Sequence, residues 1–306
     1  MEKSLIIGAA GQIGTELVSQ LRSRRGKNNI IAVDLRIDNL SSPCFELDAM
    51  NETALRDLVL KEGISEIYHL VAMLSVTGEK APQKAWDLNM KTLFSVLDLA
   101  KEGLIKRIFW PSSIAVFGPS TPKIQTPQYC SMDPTTAYGI SKLAGELWCQ
   151  YYFKNYGVDV RSLRYPGLIS WKTMPGGGTT DYAIDIFHSA SRREEFISFL
   201  EPDTRLPMMY MDDAVRATIE IMEAESDAIR IRSSYNLAAV DFTPSELGIA
   251  IKKIKPEFEM SYSPDSRQAI AKSWPSSIDD TQAKLDWGWK SRYNFLSIVK
   301  LMTDKI

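Results

Sequence analysis

Short apolar runs alternate with longer amphipathic segments in the first half of the chain. Near-continuous apolar runs of this length are typical of strands buried on both faces, as in a parallel sheet. Between them, apolar residues such as Leu17 and Leu21 recur at helical spacing. The pattern predicts strands at residues 4–7, 30–33, 44–47, 66–72, 107–110 and 158–163, and helices that include residues 52–62, 82–102 and 138–156.

Strands that alternate with helices predict an α/β fold, a Rossmann-type doubly wound parallel sheet with right-handed crossovers. The alternation breaks after residue 164, which predicts a smaller C-terminal lobe. We expect residues 1–164 to form the large domain, with 211–239 returning to it, and residues 165–210 and 240–306 to form the lobe. A helix is predicted from 181 to 192, and Asp212 and Asp213 are expected to cap the next one.

Composition excludes several classes of protein. The 306 residues are 44% hydrophobic, which is enough for a sizeable core, and a net charge of −2 gives no electrostatic case for nucleic acid. Two histidines disfavour a His-based metal site or a Ser-His-Asp triad, so no metal is expected. Three cysteines without paired spacing predict reduced thiols and a cytoplasmic protein. No apolar run approaches the roughly 18 residues that span a bilayer, and a strand pattern from Ser4 argues against a signal peptide.

Three glycines lie between the first predicted strand and its helix, spaced Gly-x-x-Gly-x-x-Gly. Gly8 permits a tight turn, Gly11 lets a pyrophosphate approach the backbone, and Gly14 lets helix and strand pack closely. The helix N-terminus, at Gln12 and Ile13, favours phosphate charge. This context predicts a dinucleotide site, and the alternative is a plain tight turn.

Carboxylates follow the second and third predicted strands. Asp34, twenty residues after Gly14, is placed to accept hydrogen bonds from the adenosine ribose, which favours NAD over NADP. Arg36 weakens that preference, because a guanidinium nearby can hold a 2′-phosphate. Asp48 either reaches the adenine or caps the helix at 52–62, and the sequence does not separate the two.

The carboxyl end of the fourth strand points to the ligand crevice of an open α/β sheet. We expect Leu70 and Ala72 to contact the cofactor and Ser75 to contact the substrate. His69 is expected to be a core histidine rather than a catalyst. Asn89, on the following helix, either bridges a water to the active site or satisfies local backbone.

Tyr138 and Lys142 stand four residues apart on one face of a predicted helix. A tyrosine is a poor base at neutral pH, but an ammonium beside it would stabilise the phenolate and lower its pKa. Ser112 and Ser113 end the preceding strand, and the Ser113 hydroxyl would hold a substrate oxygen near the phenolate. These groups predict proton transfer in an alcohol/carbonyl pair. Alone, such a Tyr/Lys pair is more often two solvated helix residues.

Further candidates lie in the lobe. Tyr165 and Leu168 flank a predicted turn suited to the nicotinamide. The loop from Pro175 to Thr180 contains three glycines whose N–H groups can hold a small anion such as a carboxylate, and its alternative is a flexible surface loop. Trp274 either closes over the substrate or fills the core.

Together the glycine spacing, Asp34, Ser112-Ser113 and the Tyr138/Lys142 pair resemble the extended short-chain dehydrogenase/reductase superfamily. Within it, the chain resembles the L-threonine 3-dehydrogenases related to UDP-galactose 4-epimerase. That resemblance covers essentially the whole chain and rests on five runs: residues 164–167, 178–183, 206–211, 242–247 and 274–275. The Gly178-to-Ala183 run, Gly-Thr-Thr-Asp-Tyr-Ala, is the most specific.

The resemblance implies NAD-dependent oxidation of the β-hydroxyl of L-threonine to 2-amino-3-oxobutyrate. It implies that Tyr138 is the catalytic base, with Lys142, Ser112 and Ser113 as the other catalytic residues. It also implies a homodimer through the helices that hold Asn89 and Lys142. The implied substrate contacts are Ser75, Thr179, Thr180 and Trp274, and the roles argued above add Ser113, Tyr138 and Gly178.

Two alternatives remain open. One is a nucleotide-sugar epimerase or dehydratase on the same scaffold; a dehydratase would want an acidic residue beside the catalytic hydroxyl, where Ile114-Ala115 stand. The other is a non-catalytic NAD(P)-sensing protein, which the intact Tyr138/Lys142 pair disfavours.

Overall fold

The computed structural model describes residues 2–173 and 176–306. Its first part alternates strand and helix as the apolar pattern predicts. The elements in order are β1 (Lys3–Ile7), α1 (Gln12–Arg25), β2 (Ile30–Asp34), β3 (Cys44–Glu46), α2 (Glu52–Glu62), β4 (Ile64–His69), α3 (Ser75–Lys80), α4 (Pro82–Lys101), β5 (Arg107–Ser113), α5 (Ala137–Tyr156) and β6 (Asp159–Tyr165).

The second part contains shorter strands. The elements in order are β7 (Gly167–Ile169), α6 (Tyr182–Arg192), β8 (Phe196–Ser198), β9 (Leu206–Tyr210), α7 (Met211–Glu223), β10 (Tyr235–Asn236), β11 (Val240–Phe242), α8 (Pro244–Ile254), β12 (Met260–Tyr262), α9 (Ser266–Ser273), α10 (Thr281–Trp287) and α11 (Phe295–Lys305).

The central sheet is parallel and doubly wound, which confirms the predicted fold class. In the described part of the chain its seven strands run in the order β10-β6-β5-β4-β1-β2-β3. One face packs on α2, α4 and α5 through buried side chains such as Leu55, Leu93 and Cys149. The other packs on α1 and α7 through Leu17 and Ala214. Helices on both faces exclude water from the sheet and leave its carboxyl-terminal edge for ligands.

The second lobe has its own core. A three-stranded sheet, β11-β9-β7, and a two-stranded sheet, β12-β8, pack with α6, α8 and α11. Buried Tyr182, Phe187 and Phe242 belong to this core, and Ile114–Phe117, which follow β5, join it to the large sheet. The lobe therefore packs directly against the carboxyl end of β5.

The structure corrects several element boundaries. β5 continues through Pro111 to Ser113, β4 stops at His69, and β7 is a strand where a turn was predicted. Helix α3 and strand β10 were not predicted. None of the helices in residues 2–173 and 176–306 is long and apolar enough to traverse a bilayer.

Neither Asp212 nor Asp213 is the N-cap residue of α7, so the prediction that they cap this helix is wrong. They lie in the first turn of α7, whose N-cap residue is Tyr210. Asp213 is fully buried, pairs with Arg216 and accepts the backbone N–H groups of residues 292 and 293. It therefore anchors the segment that precedes α11.

Candidate active site

A cleft of about 260 Å³ opens where the carboxyl ends of β1, β4, β5 and β6 meet the second lobe. It gathers most of the residues expected to contact cofactor or substrate. From the glycine turn and the sheet it is lined by Gly8, Gly11, Gln12, Ile13, Gly14, Leu70, Ala72, Ser75, Ser112 and Ser113. From α5 and the second lobe it is lined by Tyr138, Lys142, Tyr165, Leu168, Gly178, Thr179, Thr180 and Trp274.

The glycine turn has the shape that a dinucleotide requires. Gly8 has a φ of +84°, a conformation that favours glycine, and its N–H donates to the Val33 carbonyl. A Cβ on Gly14 would lie 2.3 Å from the Gly8 carbonyl oxygen and 2.7 Å from Ala9 Cα. On Gly11 it would meet only that same oxygen, at 3.3 Å. Gly14 thus allows close packing of helix and strand, while Gly11 leaves room for a ligand at the backbone.

Gln12 supplies an independent sign of a ligand at this turn. Its Nε2 is buried and has no hydrogen-bond partner among the described residues. A buried amide donor without a partner costs free energy, so a polar ligand group is the expected partner. The residues at the turn therefore fit a dinucleotide.

Three predicted cofactor residues, Asp34, Asp48 and Asn89, lie outside the lining of the cleft. Asp34, at the end of β2, uses Oδ2 to accept the Ala10 N–H at 2.9 Å, so its carboxylate is anchored to the glycine turn. Asp48 accepts the Met50 N–H at 2.9 Å. The cap of α2 is the neighbouring Asn51, so the capping alternative for Asp48 is wrong.

Asn89 satisfies local backbone, which is the second of its two predicted roles. It is buried on α4, and its Oδ1 accepts the Met73 N–H at 2.8 Å. Its Nδ2 donates to Ser141 Oγ on α5 at 3.0 Å. Asn89 therefore fixes the loop after β4 against the helix that carries Tyr138.

Tyr138 and Lys142 share one face of α5 beside the carboxyl end of β5. Thr136 caps the helix by accepting the Gly139 N–H, and a Cβ on Gly139 would lie 2.2 Å from the Ala115 carbonyl oxygen. This close approach sets the Tyr138 ring against the cleft. Lys142 is buried, and its Nζ donates to the Pro111 carbonyl at 2.6 Å and lies 5.6 Å from the Tyr138 ring centre.

Burial shifts the pKa values of Tyr138 and Lys142 in opposite directions. It raises the pKa of Tyr138 to about 12, against a hydrogen bond with Ser113 that lowers it. Burial also lowers the pKa of Lys142 to about 7. The sequence predicted that the lysine would lower the pKa of the tyrosine; in the folded protein the pKa of Tyr138 is raised instead, because the cost of burying the phenolate outweighs the hydrogen bond with Ser113.

The two serines at the end of β5 have different surroundings. Ser113 lies in the cleft beside Tyr138 and accepts the Ala115 N–H. The Ser112 hydroxyl donates to Glu146 at 2.6 Å. Glu146 is buried and makes a two-point ion pair with Arg164 on β6, at 2.9 and 2.7 Å. Ser112 thus ties the end of β5 to α5, and Ser113 is the hydroxyl with a partner in the cleft.

The glycine loop binds an anion that belongs to the protein itself. The N–H groups of Gly177 and Gly178 donate to Asp181 Oδ2 at 2.8 and 2.6 Å, so they are not offered to a substrate carboxylate as predicted. Burial raises the pKa of Asp181, against these two hydrogen bonds. Asp181 lines the cleft and was missed because it was read only as the start of a helix. Pro175, the first residue of the predicted loop, lies outside the described residues.

Other predicted residues complete the walls. Thr179 is buried, and its Oγ1 has no hydrogen-bond partner in the described part of the chain. Trp274 is mostly buried, ends α9 and faces the cleft. Tyr165 uses its hydroxyl for a hydrogen bond with Thr218. His69 is fully buried against Thr92, and burial lowers its pKa to about 3, as expected of a neutral core histidine.

Comparison with known proteins places these features in a wider group. A model of the NAD dependent epimerase/dehydratase family matches residues 4–238. An uncharacterised epimerase/dehydratase of Staphylococcus aureus strain USA300 is 46% identical over 312 aligned positions, which cover 100% of this chain and 97% of that protein.

Solved structures of similar proteins superpose over nearly the full length. A GalE-like L-threonine dehydrogenase from Cupriavidus necator, in its holo form, has a TM-score of 0.97 and 54% identity, covering 99% of each chain. A monomeric L-threonine 3-dehydrogenase from a metagenome has a TM-score of 0.95 and 44% identity, covering 98% of this chain and 97% of the other.

Proposed function

The chain belongs to the NAD dependent epimerase/dehydratase family, and from this and from its likeness to L-threonine dehydrogenases of known structure we propose that it oxidises the β-hydroxyl group of L-threonine to give 2-amino-3-oxobutyrate. NAD is the cofactor, and when bound it supplies the acceptor for the hydride that leaves the carbinol carbon. One observation carries the proposal: the same cleft holds Tyr138, Ser113 and Asp181. The first two suit an alcohol, and the third suits an amino group.

The glycine turn, Gly8 to Gly14, would hold the pyrophosphate through backbone N–H groups and the start of α1. Gln12 Nε2 is a further donor for a phosphate or ribose oxygen. Asp34 and Asp48 are proposed to contact the adenosine half, and Leu70, Ala72, Tyr165 and Leu168 the nicotinamide half. Residues 1–164 and 211–239 are proposed to hold most of the cofactor, and the lobe, which adds Tyr165 and Leu168 to the nicotinamide half, is proposed to bind the substrate.

Tyr138 is the proposed general base. Its hydroxyl oxygen, as phenolate, takes the proton of the substrate hydroxyl, while Ser113 orients the substrate oxygen by a hydrogen bond. The protonated form of Lys142 stabilises that phenolate electrostatically. Ser112 supports this pair through Glu146 rather than by touching the substrate.

The second lobe is proposed to recognise the amino acid. Asp181 has one carboxylate oxygen on the glycine N–H groups, and its other oxygen is suited to an α-ammonium group. Thr179 Oγ1, Thr180 and Ser75 offer hydroxyl groups for the α-carboxylate. Trp274, at the C-terminal end of α9, would cover the small substrate.

The test is the absorbance of NADH at 340 nm with NAD+ and L-threonine, repeated with NADP+ and with UDP-glucose and UDP-galactose. We expect turnover of L-threonine with NAD+. Tyr138→Phe should lose about 10²–10⁴-fold in kcat while NAD affinity stays unchanged. Epimerisation of the UDP-sugars without oxidation of L-threonine would favour the epimerase alternative, and NAD binding without either activity would favour a sensing protein.

Asp181 is tested with a substrate pair. Asp181→Asn keeps an oxygen that can accept from Gly177 and Gly178 but removes the charge. We expect kcat/KM for L-threonine to fall by about tenfold or more, the size of a charge-assisted hydrogen bond. Slow turnover of 3-hydroxybutyrate, which lacks the amino group, should not fall. An equal loss on both substrates would remove Asp181 from ammonium recognition.

We further propose a cytoplasmic homodimer that pairs through α4 and α5. These helices pack side by side and carry Trp86, Leu147, Trp148 and Tyr151, all more than a third exposed on the molecule's surface. An apolar and aromatic patch of this kind is typical of a protein interface.

A further inference from the structure

A buried carboxylate on the glycine-turn helix plays no part in the chemistry described above. Glu16 lies on α1 and is only 3% exposed. Its Oε1 accepts a hydrogen bond from Ser170 Oγ at 2.7 Å, and its Oε2 pairs with Lys172 Nζ at 2.8 Å. Both partners belong to the segment that leaves β7, more than 150 residues away in the chain.

The position of Glu16 on its helix links it to the cleft. It follows Gln12 by four residues, so the two side chains share one face of α1. Gln12 faces the cleft, and Glu16 lies one turn farther from it. The face of α1 that presents Gln12 to the cofactor therefore also holds the second lobe.

The held segment leads directly to the proposed substrate loop. Ser170 follows β7, whose residue Ile169 pairs with Tyr210 of β9. Lys172 donates its backbone N–H to Ser170 Oγ at 3.2 Å, so Glu16 and Ser170 together fix its backbone. Only six residues separate Lys172 from Thr179. The start of β7 also packs on that loop, since a Cβ on Gly167 would lie 2.7 Å from Thr180 Cγ2, so a shift of this segment reaches the substrate loop through a described contact.

We infer that Glu16 is a positioning residue that couples the cofactor helix to the substrate loop. A carboxylate that is almost fully buried needs both of its partners, so the contact with Ser170 and Lys172 holds α1 and the segment together. This inference rests on the proposed function, which places Thr179 and Asp181 on the substrate. Loss of the contact lets the loop settle away from its binding position and weakens substrate binding, while Tyr138 and Ser113 stay in place.

The kinetic test replaces Lys172, the exposed end of the pair, because its side chain can be changed without altering buried packing. Lys172 is 41% exposed, and Lys172→Met should raise the KM for L-threonine about fivefold with kcat changed less than about twofold, a pattern typical of lost ground-state binding. The KM for NAD should not change. Lys172→Arg keeps the charge and should retain the wild-type KM.

A matched control is available in α10. Lys284 pairs with Asp280 at 2.6 Å, with exposures of 53% and 5%, so the pair combines an exposed lysine and a buried carboxylate remote from the cleft. Lys284→Met should leave both KM values unchanged. If Lys172→Met behaves like Lys284→Met, or lowers kcat alone, Glu16 does not position the loop.

A second measurement does not depend on activity. Trypsin cleaves after Lys172 only when the backbone there leaves its folded position, so Glu16→Gln should be cut at this bond at least about threefold faster than wild type. Lys284→Met should be cut after Lys172 at the wild-type rate. Fragments 1–172 and 173–306 are identified by mass. Equal rates in wild type and Glu16→Gln would overturn the inference.

The two measurements separate this inference from the proposed function. A wild-type protein that does not oxidise L-threonine refutes the proposed function, and the proteolysis rates still decide whether Glu16 holds the segment. A wild-type protein that oxidises L-threonine, with Lys172→Met equal to it, refutes the inference alone.

Discussion

The fold shifts the pKa values of Tyr138 and Lys142 in opposite directions, although the sequence pairs these two residues as a catalytic unit. Tyr138 keeps its proton, with a pKa of about 12, and Lys142 loses its charge near pH 7. The Trp110 ring, 4.5 Å from Lys142 Nζ, and the Pro111 carbonyl both favour the ammonium, but burial outweighs them. Between these two pKa values the pair holds one proton, which can reside on either residue.

The pH dependence of catalysis follows from that shared proton. The proposed active form, phenolate beside ammonium, contains one proton, as does the form that dominates above pH 7. We therefore expect kcat/KM for L-threonine to rise about tenfold per pH unit below about pH 7 and to level off above it. Initial rates from pH 5.5 to 8.5 test this.

In the same assay, Lys142→Met is the informative comparison. Without the lysine, phenolate formation depends on Tyr138 alone, so kcat/KM should keep rising through pH 8.5 from a much lower value. A wild-type rate that also rises steadily above pH 7.5 would mean that the pair loses its first proton well above pH 7, so that burial does not lower the pKa of Lys142 as far as the structure indicates.

Burial of Lys142 also lowers the stability of the folded protein, and the size of this effect depends on pH in a direction that its pKa determines. The pKa of Lys142 is about 7 in the folded protein and 10.5 ordinarily, so between these values the unfolded chain binds more protons. Stability therefore rises with pH across that window, and the full penalty applies below pH 7. Lys142→Met should raise the melting temperature of the cofactor-free protein at pH 6, by less at pH 8 and least at pH 10. A shift that is independent of pH would mean that Lys142 stays charged when folded.

At the level of strands and helices, long periodic segments were predictable and short ones were not. α2, α4 and α5 lie within one residue of their predicted bounds. α2 and α4 carry a sustained apolar stripe, whereas α5 is delimited by Thr136 at its N-cap and Gly157 at its C-cap. β7 and β10 have three and two residues, too few for a pattern, and exist because distant strands pair with them. β5 passes through Pro111, a residue that normally argues against a central strand.

The packing of α1 on the glycine turn permits a prediction for an element. In Gly14→Ala the new Cβ meets backbone atoms of Gly8 and Ala9, which cannot rotate away, so α1 must move outward. We expect a lower melting temperature and at least about tenfold weaker NAD binding, since a shift near 1 Å at such a site costs about that much or more. Fluorescence titration with NAD+ measures the affinity.

A glycine with room around it provides the control for that variant. A Cβ on Gly78, in α3, would meet only Ala85 Cβ, at 3.4 Å, which is ordinary contact. Gly78→Ala should bind NAD+ like the wild type. Normal NAD affinity in Gly14→Ala would show that α1 tolerates the displacement.

Across the whole molecule, the sequence located the cleft but not the pairings inside it. The Tyr138/Lys142 spacing and the glycine turn are local signals, and both line the cleft. Asp181 on the glycine N–H groups and Glu16 on Ser170 could not be foreseen. Such a contact depends on which side chains the finished fold brings together, and nothing in the local pattern records it.

The proposed dimer is the prediction that belongs to this scale. Trp148 lies on the outer face of α5, 38% exposed, with its ring 5.0 Å from that of Phe94 on α4. Light scattering should give the wild type twice the 34.5 kDa mass of the chain. In Trp148→Glu a charge would be buried between two copies, which is costly without a partner, so the mass should fall to that of one chain. Leu296→Glu, at a more exposed apolar position on α11, should remain dimeric. The similar L-threonine 3-dehydrogenase from a metagenome is monomeric. A wild-type mass of one chain would therefore contradict the proposed dimer and show that the α4–α5 surface does not pair with a second copy.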